Sequence, residues 1–324
     1  MTNLPLARFP YLVSDDVGET RETLTQLFGE HLLELLRKGD HINARVNAVR
    51  LVDVVLLVAG LGCAVRLNPA GPRAFYIVVI PMEGHGTFFL DGKRFQVCRG
   101  VGIIVSPEVS LDVRLSANFR ATVLRIDEDA VRHVLARRLG FWPPFPVAFD
   151  PLIDITRDEA LDWYHEVTDC ITDLDDPDGL LHASDELINR MDRVLVGRLV
   201  AAQSHEYSNF LGTADEPPAS SHAVSFALGL MHGRPTLSME DFATRAGVSV
   251  HALYEGCRRH FNINPSEYLH KIRLRNVHSD LEKARPGSVS VREVVAGWAL
   301  FYSERFLVDY YALFGESPED TARR

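Results

Sequence analysis

The feature that most restricts this chain is an internal repeat near its C-terminus. Leu253, Phe261 and Pro265 are matched by Phe306, Phe314 and Pro318 at one constant offset. Asn264-Pro265-Ser266-Glu267 and Ser317-Pro318-Glu319-Asp320 are the same device twice. Each places a capping residue, then Pro at the first helical position, then an acid at the third. Upstream, one extra residue in the second copy shifts the match, so Gly247 pairs with Ala299 and Phe242 with Val294.

The first copy fits a helix-turn-helix. Met239–Ala246 is the expected first helix, Gly247 the turn, and Ser249 the cap of a second helix over Val250–His260. Ala243, four residues before Gly247, is small enough for two helices to cross closely, and glycine permits the positive φ of the turn. Leu253, Cys257 and Phe261 fall on the core face; His251, Tyr254, Glu255 and Arg258 project outward, where such a helix meets base edges in the major groove. From Pro265 to about Leu281 one helix runs on for about 25 Å. A rod of that length holds two recognition helices roughly one DNA turn apart. The second copy is Val291–Trp298, a turn, then Ser303–Phe314.

The remainder of the chain reads differently. After a helical segment at about Thr20–Lys38, short β-type runs follow at Ala48–Ala59, Cys63–Asn68, Phe75–Met82, Gly86–Leu90, Arg94–Cys98, Val101–Ser106, Leu111–Leu115 and Ala121–Ile126. Turn residues separate most of them, and Asp91-Gly92 is a hairpin signal. Short strands at this spacing predict a barrel or jelly roll. Helical patterns cover Asp127–Leu139, Asp158–Leu174 and Leu180–Ser204. In the last, Leu187, Met191, Val194, Leu195, Arg198 and Leu199 fall near one face, which suits either a dimer surface or packing on the chain's own barrel. The expected fold is therefore α+β, with a β-barrel or jelly roll and a helical pair before an all-α double helix-turn-helix. The Pro-rich polar stretch at 212–221 reads as the linker. It divides a domain at 1–211 (barrel about 44–127, helices about 128–211) from one at 222–324.

Charge is distributed unevenly. The formal net charge of the 324-residue chain is -10, which by itself opposes a polyanionic partner. From Ala219 to Arg324, however, there are thirteen Lys and Arg against twelve Asp and Glu, so nearly all of the excess acid lies in the N-terminal part.

The C-terminal sequence resembles the DNA-binding domain of AraC/XylS transcription regulators. The run Ala246-Gly247-Val248-Ser249, Arg258-Arg259, Tyr268-Leu269, Arg273-Leu274 and Phe314-Gly315-Glu316-Ser317-Pro318 sit at that family's spacings. The stretch from Pro72 to Gly86, with Ser106-Pro107, is similar to the family's cupin-like β-barrel sensor domain. The resemblance implies a sequence-specific, effector-responsive transcriptional activator that binds double-stranded DNA as a homodimer and contacts RNA polymerase. It implies no membrane, cofactor or enzymatic activity. By position in the two motifs, the candidate DNA-contacting residues are Ser249, Val250, His251, Tyr254, Glu255, Arg258 and Arg259, then Lys271 on the connecting helix, then Tyr302, Ser303, Glu304 and Arg305. Arg273 and Arg275 are further candidates for phosphate.

The chain departs from the family pattern at informative places. Glu255 stands where members often carry arginine. Val295 and Ala299 replace the small residue and turn glycine of the second motif, whose second helix carries Asp309, Tyr311 and Leu313 in place of basic residues. These departures leave open a regulator-like protein that acts through a protein partner.

Other sites are expected to be absent. Four cysteines with no C-x-x-C spacing read as reduced thiols rather than a disulfide framework or zinc site. His85 in Gly84-His85-Gly86 has no second histidine nearby, so no metal is expected. No Gly-rich phosphate loop and no G-x-S-x-G occurs. The opening residues hold no long apolar run, and Leu51–Leu61 contains Asp53 and is too short to span a bilayer, so a cytoplasmic protein without a signal peptide is expected. For a small-molecule pocket, Tyr76, Val78, Ile80 and Phe88 alternate in the manner of inward barrel positions.

Overall fold

The structure, a computed structural model, describes residues 4–69, 73–107, 109–139, 142–143, 146–208, 219–261, 264–285 and 289–323. It separates into two compact units. One comprises Met1–Val134 and Pro146–Glu206, the other Leu135–Phe145 and Tyr207–Arg324. Most of the expected linker lies outside the described residues; Ala219–Ser221 already belong to a helix.

The first unit is built on one antiparallel sheet. Its strands are β1 (Pro10–Ser14), β2 (His31–Leu35), β3 (Ala44–Arg50), β4 (Val54–Gly60), β5 (Val65–Pro69), β6 (Phe75–Glu83), β7 (His85–Leu90), β8 (Lys93–Cys98), β9 (Val101–Val105), β10 (Leu111–Leu115), β11 (Arg120–Asp127) and β12 (Leu152–Asp154). The order is β1-β3-β4-β11-β6-β9-β8-β7-β10-β5-β2, with β12 added to β9. Strands β1 to β11 all send side chains into one apolar interior, from Leu12 of β1 and Leu33 of β2 to Ala121 and Val123 of β11. Asp91 and Gly92 both have positive φ, 47° and 77°, as the β7–β8 hairpin requires.

Two details differ from the sequence reading. The expected helix at Thr20–Lys38 is α1 over Val17–Phe28, followed by strand β2, and the sheet begins at Pro10 rather than near residue 44. Helix α1 ends where Gly29 turns to a φ of 80°, and His31–Leu35 then pairs with β5. The sequence His31-Leu32-Leu33-Glu34-Leu35 shows no clean apolar–polar alternation, since Leu32 is apolar yet exposed while Leu33 is buried. Long-range pairing thus overrides local helical preference.

Helices α2 (Glu128–Leu139), α3 (Asp158–Asp175) and α4 (Asp185–Ala202) follow the sheet. On α3, Trp163 is fully buried and its Nε1 donates to Leu195 O of α4 at 2.9 Å. On α4, one carboxylate oxygen of buried Asp192 accepts the backbone N–H groups of Val52, Asp53 and Val54 at 2.9–3.1 Å. Gln203 Nε2 donates to Asp150 O and Leu152 O. The helical pair therefore packs on its own sheet.

The second unit is helical: α5 (Ala219–Gly233), α6 (Met239–Arg245), α7 (Val250–Phe261), α8 (Pro265–Lys283), α9 (Val291–Gly297), α10 (Glu304–Phe314) and α11 (Pro318–Thr321). Pro occupies the start of both α8 and α11, as the repeated capping device dictates. Helix α8 is the spine. Its 19 residues span about 28 Å. Buried Tyr268, Leu269 and Ile272 lie on its first half, and Leu274, Val277 and Leu281 join a core with Val295, Phe306 and Tyr310.

Candidate nucleic-acid interface

The first motif is assembled by short-range hydrogen bonds that the sequence supplies locally. Ser238 and Asp241 form a reciprocal capping box at α6, and the Ser238 N–H and hydroxyl hold the Asp241 carboxyl below its ordinary range. Val248 N–H returns to Ala243 O at 3.0 Å across a turn in which Gly247 has a φ of 69°. Ser249 Oγ then accepts from Ala252 N–H at 3.1 Å and starts α7. Leu253 and Cys257 are buried, and burial pushes the Cys257 thiol up to about 12. The Phe261 side chain lies outside the described set.

On the opposite side of α7, His251, Glu255, Arg258 and Arg259 are exposed. Val250 and Tyr254 are half-buried, and the Tyr254 hydroxyl bonds Ser266 Oγ on α8. Glu255 and Arg259 approach to 3.8 Å as an i,i+4 pair. An exposed pair of this kind is weak, so either partner is available to a stronger ligand at small cost.

The second motif repeats the same architecture with different chemistry. Leu300 N–H returns to Val295 O at 3.2 Å, the counterpart of Val248 and Ala243. Ala299, standing for Gly247, has a φ of 54°, a left-handed conformation for a residue with a Cβ. Ser303 Oγ accepts from Phe306 N–H and caps α10. Phe306 and Tyr310 are buried, while Glu304 and Arg305 are exposed. Tyr302 is half-buried: its hydroxyl donates to Glu319, which raises its pKa, and the Arg292 guanidinium sits 4.3 Å over its ring. Asp309 pairs with His270 of α8 at 2.8 Å and with Arg305 at 3.7 Å. Phe301, Val308 and Tyr311 are strongly exposed, at 89%, 66% and 62%. Beyond Glu304 and Arg305, the exposed residues of α10 are Val308, Tyr311 and Ala312, with Phe301 exposed just before it, whereas the exposed face of α7 carries His251, Glu255, Arg258 and Arg259.

Among the cations of α8, Lys271 and Arg275 are half-buried. Arg273 is committed elsewhere. Its guanidinium donates to Pro235 O at 2.7 Å, Leu237 O at 3.0 Å and Ala299 O at 3.2 Å, and desolvation lowers its pKa. The expectation that Arg273 meets phosphate is corrected by this geometry: it ties the segment before α6 to the turn of the second motif. Its spacing offered a signal, because Arg273 lies four residues from both Leu269 and Val277, on the buried face of the helix.

The sensor barrel contains a cavity of about 140 Å³. Leu57, Ile77, Val79, Phe88, Phe119 and Val123 are among its walls. The expected inward set is therefore corrected. Phe88 does face the cavity, but Tyr76, Val78 and Ile80 occupy the other face of β6, where Tyr76 packs edge-on against Phe149 at 5.5 Å. Strand β6 is buried on both faces, so its continuous apolar run could not reveal which parity points inward. Among the described residues, no group of three or more His, Cys, Asp or Glu converges as a metal site would require, and no helix is long and apolar enough to cross a membrane.

A barrel carrying an apolar cavity, followed by two helix-turn-helix motifs on a shared spine, defines a sensor-and-reader protein, and the chain is a DNA-binding transcriptional regulator. Residues 20–200 match the model of the AraC-binding-like domain, and residues 242–324 that of a helix-turn-helix domain. The first match covers more than half of the chain, which therefore belongs to the AraC family. A "Probable thc operon regulatory protein" of Rhodococcus erythropolis is 26% identical over 317 residues, 96% of this chain and 94% of that one. "XylDLEGF operon transcriptional activator 3" of Pseudomonas putida is 22% identical over 322 residues, covering 97% and 90%. Among solved structures, the AraC-like transcriptional activator CuxR aligns with a TM-score of 0.47 at 12% identity, covering 82% of this chain and 92% of that one.

Proposed function

We propose that this regulator reads DNA chiefly with α7, as an effector-responsive activator. One observation carries the reading: α7 buries Leu253 and Cys257 while exposing His251, Glu255, Arg258 and Arg259 on the other face. Ser249 and Val250 begin that helix beside the groove, and Tyr254 braces it against α8. Glu255 accepts from a cytosine amino group, and Arg258 and Arg259 meet phosphate or guanine. Lys271 contributes a phosphate contact. In the second motif Arg305 supplies the positive charge, with Ser303 and Glu304 at the helix start and Tyr302 holding the turn. The names of the Pseudomonas relatives support activation, and with it a contact to RNA polymerase. The barrel cavity takes a small organic effector. The protein works in the cytoplasm as a homodimer and catalyses no reaction.

The test is binding to the DNA upstream of its own gene across a salt series. Glu255→Gln keeps size and removes charge. It weakens the specific site by about 1–3 kcal/mol and spares non-specific binding if Glu255 reads cytosine. Arg258→Ala weakens both and reduces the log–log salt slope by about 0.9 if it neutralises one phosphate. Binding unchanged in both variants would refute α7 as the reader.

The exposed large apolar residues Phe301, just before α10, and Val308 and Tyr311 on it favour a second reading for that motif, in which they meet a protein partner rather than DNA. Val308→Arg separates the two. If α10 lies in the groove, affinity rises and the salt slope steepens. If it meets a protein, transcriptional activation falls and DNA binding stays as it was.

A further inference from the structure

The walls of the barrel cavity offer a ligand almost nothing but carbon. Among the described residues that line it, none is Asp, Glu, Lys or Arg, and three carry a polar side-chain atom: His31, Cys63 and Ser116. None of the three presents a usable partner. His31 Nε2 is buried out of reach of even a water molecule, and its Nδ1 lies 3.0 Å from Gly29 O. The Ser116 hydroxyl accepts from His85 N–H at 3.0 Å and donates to Asn118 Oδ1 at 3.0 Å. Burial, aided by the Asp40 carboxylate, pushes the Cys63 thiol up, so it stays a neutral and weak hydrogen-bonding group. The backbone is engaged as well: β11 pairs along its length with β4 on one side and β6 on the other.

Such walls decide what can be held. A water molecule needs several polar partners, which this lining does not supply, so water is a poor occupant. Apolar surface transferred from water to the cavity is favourable at no cost in broken hydrogen bonds. Any hydroxyl, amide or charge carried in with it gives up its water for nothing in return.

Resting on the effector reading above, we infer that the cavity binds a compact, neutral hydrocarbon of the size of benzene or toluene, held by apolar contact alone. The size argument is direct: a dry apolar cavity of about 150 Å³ accommodates benzene, and this one measures about 140 Å³. Phe88 and Phe119 in the walls supply aromatic surface against which a ring can pack edge-on or offset. The polarity argument excludes three other classes. A sugar brings several hydroxyls to walls with no open partner. A carboxylate or ammonium finds no counter-charge among the lining side chains. A phenol has the right size but strands its hydroxyl.

The experiment is calorimetric titration of the full chain with toluene, phenol and benzoate. Toluene and phenol have nearly the same shape, so their ratio reports the cost of the unmet hydroxyl. Toluene is expected to bind about tenfold more tightly than phenol, and benzoate more weakly than either. Val79→Phe and Val113→Phe fill the space from β6 and from β10, and each should abolish toluene binding while a cooperative urea transition shows that the chain is folded. The ligand panel on the unmodified chain decides the class whether or not either variant folds. Phenol or benzoate binding as tightly as toluene overturns the hydrocarbon class and leaves the effector cavity standing. Toluene binding that survives in a folded Val79→Phe or Val113→Phe chain overturns the assignment to this cavity. No binding of any of the three overturns the cavity reading together with the inference.

Discussion

Ala299 provides a measurable consequence of the repeat. It occupies the turn position that Gly247 holds in the first motif, with φ values of 54° and 69°. An L-residue with a Cβ loses about 1–2 kcal/mol in the left-handed region, and glycine loses little. Ala299 is exposed, so removing its methyl group forfeits no burial, and its carbonyl bond to Arg273 is a backbone contact that glycine retains. Against the gain stands the larger unfolded-state freedom of glycine, about 0.4–1 kcal/mol. Ala299→Gly should therefore stabilise the second motif by about 0.5–1 kcal/mol. The mirror change at the first turn is equally clean, because a Cβ built on Gly247 meets nothing within 4 Å. Gly247→Ala should destabilise the first motif by a similar amount, through the backbone alone. Native-state hydrogen exchange on the full chain separates the two motifs. Protection in α9 and α10 should rise about two- to fivefold in Ala299→Gly, and protection in α6 and α7 should fall by a similar factor in Gly247→Ala. A loss of protection in Ala299→Gly, of the size expected for glycine inside a helix, would refute the turn assignment.

Two further perturbations address the scaffold. Arg273→Ala leaves the carbonyls of Pro235, Leu237 and Ala299 without their shared donor and should cost about 2–4 kcal/mol in urea unfolding. Arg273→Lys should not restore it, since one ammonium cannot reproduce the planar fork; a loss under about 0.5 kcal/mol in Arg273→Ala would show that the clamp is incidental. Asp192→Ala strands three N–H groups and should cost about 2–4 kcal/mol. Asp192→Asn retains the accepting oxygen and should cost far less. Burial raises the Asp192 pKa despite those N–H bonds. Its stabilising contribution is therefore present below the ordinary carboxylate value and lost as pH rises through the raised value. Asp192→Asn should flatten that decline in a stability series from about pH 4 upward, and an unchanged profile would assign the pH dependence to other groups.

Much of the reader domain was legible in the chain itself. Helix starts are written in local chemistry: Ser238 with Asp241, Ser249, Asn264-Pro265, Ser303 and Ser317-Pro318 all cap the helices they precede. Their partners lie two or three residues away, so no tertiary information is needed to see them. The Asp91-Gly92 hairpin and the buried pair Leu253 and Cys257 were readable for the same reason.

The tertiary structure decided what depends on residues distant in sequence. Whether His31–Leu35 is helix or strand was settled by pairing with β5, which lies more than thirty residues further along the chain. Which parity of β6 faces the cavity was settled by what packs on its outer side, where Tyr76 meets Phe149, since Tyr76 and Ile77 are both buried and the apolar run is continuous. Arg273 reads as a cation for DNA until three backbone carbonyls from two other segments converge on it. Local propensity and capping act over a few residues, whereas burial and hydrogen-bond satisfaction are set by whatever the fold brings alongside.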